Sequence, residues 1–141
     1  PADSGANALL NYGYTVLRAA TARAVVGAGL HPTIGLFHSN RGNAFALADD
    51  LMEPFRPLVD CTVRSIMARG ASKIDSQSKQ TLARVIATDL PLNDGITPVS
   101  VALMKLATSL GQSFEAGKLT LALPAPPGPL AFSGLGQWQE A

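Results

Sequence analysis

Apolar residues recur every three or four positions near the start of the chain: Leu9, Leu10, Val16, Leu17, Ala20, Ala24 and Val25. That spacing predicts an amphipathic helix over residues 6–28. Asp3 or Ser4 is placed to cap it. Gly29 and then Pro32 end it. Residues 29–43 hold three Gly and one Pro and read as a connecting loop, although the short apolar run 34–37 leaves a strand open. A second helix starts near Asn43 and sets Leu47, Leu51, Phe55 and Leu58 on one face. Pro54 and Pro57 interrupt it, because an interior proline deletes a backbone hydrogen bond and clashes with the preceding turn. A kink or break is therefore expected over residues 53–57, followed by a continuation over 59–69 that stops at Gly70. Asp75 or Ser76 caps a third helix over 78–88. Residues 90–94 read as a loop, with Pro91 and an Asn-Asp-Gly turn signal. A last helix runs from Pro98, which the first turn tolerates, to Ala116, with Gly117 as its stop.

Residues 119–141 contain four Pro and three Gly and cannot be a helix. Two readings stand for them: an extended arm lying on this domain or a partner, or a loose tail. The predicted architecture is all-α, with four to five helices in residues 1–118 and a Pro/Gly-rich extended tail in 119–141.

Composition narrows the function. The chain has 141 residues, one domain's worth, with 47 % apolar and 15 % charged residues, so a real core is expected. A single cysteine, Cys61, excludes an internal disulfide and an all-cysteine zinc site, and its neighbours Leu58, Val59 and Val63 make it a core residue. No run of eighteen apolar residues exists to span a membrane. The net charge of +1 conceals an asymmetry: residues 1–53 carry −1, residues 54–88 carry +4 and residues 89–141 carry −2. A basic middle segment suits a phosphate backbone, and it equally suits the wet faces of helices.

Few residues can carry chemistry. His31 sits in a turn between Leu30 and Pro32 and reads as structural. His38 precedes the polar loop Ser39-Asn40-Arg41-Gly42. Asp49, Asp50 and Glu53 then cluster within five residues. Asp50 and Glu53, three apart, project from one side of a helix and repel unless neutralised. Two readings stand here as well. A divalent cation held by one imidazole and one or two carboxylates suits Mg²⁺ or Mn²⁺ and phosphoryl chemistry. Alternatively, these are solvated carboxylates off the Leu47/Leu51/Phe55 face. No Gly-rich loop ending in Lys-Ser/Thr and no G-x-S-x-G elbow is present.

Three strings, NALLNYGY at 7–14, GLHPTIGLFH at 29–38 and LADDLMEPFRP at 47–57, occur in order. Together they resemble the helical C-terminal catalytic domain of the CRISPR-associated integrase and endonuclease family, Cas one. The resemblance covers about residues 5–60 strongly and the remainder only in helical character. It implies insertion of new spacers into a CRISPR array, in antiviral defence, by attack of a DNA 3′-hydroxyl on a repeat phosphodiester. It implies a Mg²⁺ or Mn²⁺ site in which His38 and Glu53 are the catalytic metal ligands. Asp50 matches a further acidic position, contacting the metal or supporting the site indirectly. Arg56 matches a position that neutralises a carboxylate or touches phosphate, and Arg41 and Arg56 are assigned to DNA. The implied partners are double-stranded DNA (prespacer and repeat), a second copy of the protein through an N-terminal β-rich lobe, and a dimer of the small ferredoxin-like Cas two, in the bacterial cytoplasm.

One departure matters. The family's first metal-binding Glu lies upstream of NALLNYGY, and no Glu precedes Glu53 here. The expectation is a C-terminal fragment with an incomplete site that binds metal weakly and does not integrate DNA alone. The competing expectations are a non-catalytic helical interaction module, with His38 and Glu53 apart, and a helical DNA-binding regulator, for which no helix-turn-helix pattern appears.

Overall fold

In the computed structural model of the chain, residues 5–30, 46–70, 73–92, 95–116 and 123 are described. Five α-helices carry the fold: α1 (Ala6–Gly27), α2 (Ala46–Met52), α3 (Arg56–Ala68), α4 (Ser76–Ala83) and α5 (Val99–Ala116). Single 3₁₀ turns, Glu53–Phe55 and Arg84–Ala87, follow α2 and α4. Strands β1 (Asp89–Leu92) and β2 (Gly95–Pro98) form an antiparallel pair with Leu90 opposite Thr97.

Helix α1 is the organising element and packs against each of the other four. Leu9, Gly13, Leu17, Thr21 and Val25 form its buried stripe at four-residue spacing, which keeps one face toward the core. Gly13 is required for the approach of α3. A Cβ there would stand 2.5 Å from Val59 Cγ1 and 3.3 Å from Leu82 Cδ2. Helix α5 closes the opposite side with Val99, Ala102, Leu103, Leu106, Ala107 and Leu110, all buried. Cys61 is partly buried and packs against this core. Burial pushes its thiol pKa up, Arg64 opposing and Asp60 adding to the shift.

The helices predicted over 6–28, 59–69 and 98–116 appear with ends shifted by at most three residues. The break expected at 53–57 is the 3₁₀ turn Glu53–Phe55. Two expectations need correction. Helix α4 ends at Ala83 and tightens into the turn Arg84–Ala87 before Thr88 becomes extended. The segment read as a loop at 90–94 begins as strand β1, so the described residues are mostly helical, as the all-α expectation had it, with a small two-stranded hairpin added. Four-residue strands are too short to display a period, and Pro91 argued against a ladder position. Pro98 closes β2, and α5 begins one residue later. The Asp3, Ser4 and Asn43 caps, the 34–37 run, His31, Gly117 and the tail (apart from residue 123) lie outside the described residues. At the start of α1 the N-cap position is Gly5, with no side-chain cap hydrogen bond.

The Asp75 cap is observed in full. Asp75 Oδ1 accepts the Ser78 backbone N–H at 2.8 Å, and Ser78 Oγ accepts the Asp75 backbone N–H at 2.8 Å. The Ser78 backbone N–H first, and then the Ser78 side chain, hold the Asp75 carboxyl below the usual carboxylate range. A lowered folded pKa means a contribution that is complete above the unfolded value, about 3.9, and lost as pH falls through the folded value. Asp75→Ala should therefore melt at a lower temperature than the parent at neutral pH, and the gap should close in acid. Circular-dichroism melts from neutral to strongly acidic pH check this, and a gap independent of pH would contradict it.

Candidate active site at the turn between α2 and α3

Glu53-Pro54-Phe55-Arg56-Pro57 forms the corner of the domain. Two prolines preset φ near helical values and withhold N–H groups that a helix start leaves unsatisfied anyway. Phe55 is wholly buried, at 0 % exposure, and anchors the corner in the core. The residues on either side of it point elsewhere. Glu53 has a side chain 54 % exposed, and Arg56 lies beside it with Nε 2.9 Å from Glu53 Oε1. The Arg56 Nε atom is itself shielded from solvent, and its N–H makes no hydrogen bond, so this contact is an ion pair without directional geometry.

A second layer lies under the arginine. Its guanidinium carbon sits over the Tyr14 ring at 5.0 Å from the centroid, within cation–π range. The Tyr14 hydroxyl donates to Asp60 Oδ1. Burial first, then this hydrogen bond and the charge of Asp60, push the Tyr14 pKa up to about 12, with Arg56 opposing. The chain has two tyrosines, so Tyr12→Phe leaves Tyr14 as the sole reporter. Its ultraviolet titration should centre near pH 12, and Asp60→Asn should bring the midpoint down toward the ordinary value of about 10. A midpoint unmoved by Asp60→Asn would contradict the assigned cause. A raised folded pKa also means that this contact's stabilisation is present below the unfolded value and lost as pH rises through the folded one.

The three clustered carboxylates separate in space. Asp49 and Asp50 are buried, at 8 % and 6 % exposure, because all seven residues of α2 are buried. Arg18 of α1 donates through Nε to Asp49 Oδ1 at 2.8 Å. Asp50 also has a polar partner. Only Glu53 matches the expectation of a solvated carboxylate. The one-sided Asp50/Glu53 pair expected of a continuous helix is replaced by a buried residue in α2 and an exposed one at the head of the 3₁₀ turn. His38 and Arg41 lie outside the described residues. Among the described residues, no group of three His, Cys, Asp or Glu side chains converges as a metal site.

Of the candidate residues, the structure thus brings Glu53 and Arg56 together. Sequence reasoning missed Tyr14 and Asp60, which complete this cluster. Their separation along the chain is 46 residues, and no local pattern carries such a pairing. Among the described residues, no helix is long and apolar enough to cross a membrane.

Comparison with known proteins identifies the family. The model described as "CRISPR associated protein Cas1" matches residues 1–90. The CRISPR-associated endonuclease Cas1 of Neisseria meningitidis serogroup C is 38 % identical over 117 residues, covering 82 % of this chain and 37 % of that protein. A Cas1 endonuclease of Thermus thermophilus is 46 % identical over 71 residues, covering 50 % of this chain and 22 % of its own length. The chain therefore spans well under half the length of these relatives. A solved structure titled "Casposase bound to integration product" shares the fold, with a TM-score of 0.74 and 22 % identity over 89 % of this chain and 40 % of that one. The family model spans most of this chain, and it covers both the NALLNYGY helix and the Glu53–Arg56 corner: the chain belongs to the Cas1 family of CRISPR-associated proteins.

Proposed function

We propose that this chain supplies the helical half of the catalytic domain of a metal-dependent DNA integrase and endonuclease that inserts spacers into a CRISPR array. The observation that carries the reading is Glu53: an exposed carboxylate on a proline-flanked turn, anchored by buried Phe55 and backed by Arg56. An exposed carboxylate fixed in this way is placed for a ligand from solvent. The Cas1 endonuclease relatives and the casposase fold support DNA as that ligand's setting.

The donor chemistry fits a hard divalent ion. Glu53 meets Arg56 through Oε1 and carries a second carboxylate oxygen. Glu53 and His38 would hold Mg²⁺ or Mn²⁺, which take carboxylate oxygens readily, with the buried Asp50 contacting the metal through water or supporting the site indirectly. Such an ion, when bound, polarises a phosphoryl oxygen and lowers the pKa of an attacking hydroxyl. The protein's part is to orient. Arg56 balances the Glu53 charge, and Arg41 and Arg56 give cationic contacts for DNA phosphates. The reaction forms a bond from the incoming 3′-oxygen to phosphorus and breaks the repeat's own P–O3′ bond, releasing a 3′-hydroxyl. One phosphodiester is exchanged for another, so no nucleotide energy source is needed. The partners proposed are double-stranded DNA, a second copy of the full protein and a dimer of Cas2. With two or three ligands of its own, the 141-residue chain alone binds metal weakly and does not join DNA.

The test uses the protein expressed from its full genomic reading frame with Cas2, a short DNA duplex, a supercoiled plasmid bearing a repeat, and Mn²⁺ or Mg²⁺. Metal-dependent joining that is lost in His38→Ala is expected. Joining unaffected by that change would break the residue assignment. No joining under any condition would favour a helical interaction module.

A further inference from the structure

We propose that Tyr14 and Asp60 are positioning residues, a brace from α1 to α3 that seats the Arg56 guanidinium and through it fixes where the positive charge stands beside the Glu53 carboxylate. The inference rests on the reading of Glu53 as a metal ligand and adds two residues to it. Arg56 and Asp60 are four apart on α3, so they lie one turn from each other on one helix face. Tyr14, reaching across from α1, touches both: its ring lies under the guanidinium at 5.0 Å, and its hydroxyl is bonded to the carboxylate. One side chain thus engages both ends of a single helical turn.

The arrangement answers a mechanical need. A half-exposed Glu–Arg pair three residues apart is loosely held by itself. Here it also lacks hydrogen-bond direction, because the shielded Arg56 Nε–H does not point at Glu53. Charge alone sets the distance between the two groups but not their orientation. The flat face of Tyr14 supplies the missing restraint, since a planar guanidinium stacks over a ring in few orientations. The ring in turn is held by Asp60 at its far end. Groups that orient a metal ligand change metal affinity when removed.

Glu53→Gln, Tyr14→Phe and Asp60→Asn are compared in the full-reading-frame protein with Cas2, after circular dichroism and thermal melts confirm folding. The readouts are the Mn²⁺ concentration for half-maximal DNA joining and the ¹⁵Nε resonance of Arg56. Tyr14→Phe keeps the ring and loses only the hydroxyl, so its fold should persist. Each brace variant should raise the half-saturating Mn²⁺ by about 3–10-fold, with the maximal rate falling by less, below the roughly 10–100-fold seen when a ligand's direct hydrogen-bond partner is removed. Each should also shift the Arg56 resonance. A merely structural role would lower the melting temperature and leave half-saturation where it was. Half-saturation unmoved in both brace variants but raised in Glu53→Gln would overturn the brace and leave the site reading standing. Half-saturation unmoved in Glu53→Gln as well would overturn both.

Discussion

Glu53→Gln is expected to reduce metal-dependent DNA joining by at least about 100-fold while leaving the domain folded. Gln keeps the size of the side chain and removes its charge. The metal reading loses one of its two catalytic ligands in this chain, and metal stabilisation of a reacting phosphoryl group is worth several kcal/mol, so a loss of about 3 kcal/mol corresponds to roughly 100-fold. The fold should tolerate the change because the Glu53 side chain is 54 % exposed and buries nothing in the core. Its ion pair with Arg56, also partly exposed, contributes at most about 1 kcal/mol. A single-turnover joining assay beside a thermal melt separates the two effects. A drop in joining that tracks a drop in melting temperature would assign Glu53 a structural role.

The second large effect falls on stability. Phe55→Ala should cost about 3–5 kcal/mol, from lost transfer free energy plus the cavity left behind. Phe55 is 0 % exposed and heads the largest fully buried side chains of the core. A domain of this size is held by about 5–15 kcal/mol in all, so the variant should unfold at a markedly lower urea midpoint with little change in slope. Phe55 also lies between Glu53 and Arg56 on the 3₁₀ turn. Loosening it should raise the metal requirement of whatever protein remains folded. A loss under about 1 kcal/mol would mean that the corner is not anchored in the core as described.

Much of the fold was legible because it is local. Leu9, Leu17 and Val25 on α1, and Val99, Leu103, Leu106 and Leu110 on α5, repeat at helical spacing and are buried. Gly29 and Gly70, at φ +79 and +89, mark helix ends that need a left-handed residue. The hairpin was not legible, since β1 and β2 have four residues each and one holds Pro91. Nor was the burial of Asp49 and Asp50. A carboxylate beside an apolar face reads as solvated until its cation is known, and the Arg18 that meets Asp49 is 31 residues away. At the candidate site, the EPFRP string singled out Glu53 and Arg56, which the structure pairs. Tyr14 and Asp60 were not legible, because their contact is made by the packing of α1 on α3. Gly13 sits one residue before Tyr14, and its missing Cβ allows that close packing.

The central claim is that His38 and Glu53 share one divalent ion. Electron spin-echo spectroscopy of Mn²⁺ bound to the full-reading-frame protein tests it most directly, because an imidazole nitrogen on the metal modulates the echo. The account expects ¹⁴N modulation that disappears in His38→Ala, together with Mn²⁺ binding that weakens in Glu53→Gln. Bound Mn²⁺ with no nitrogen modulation, or modulation that survives His38→Ala, would contradict it.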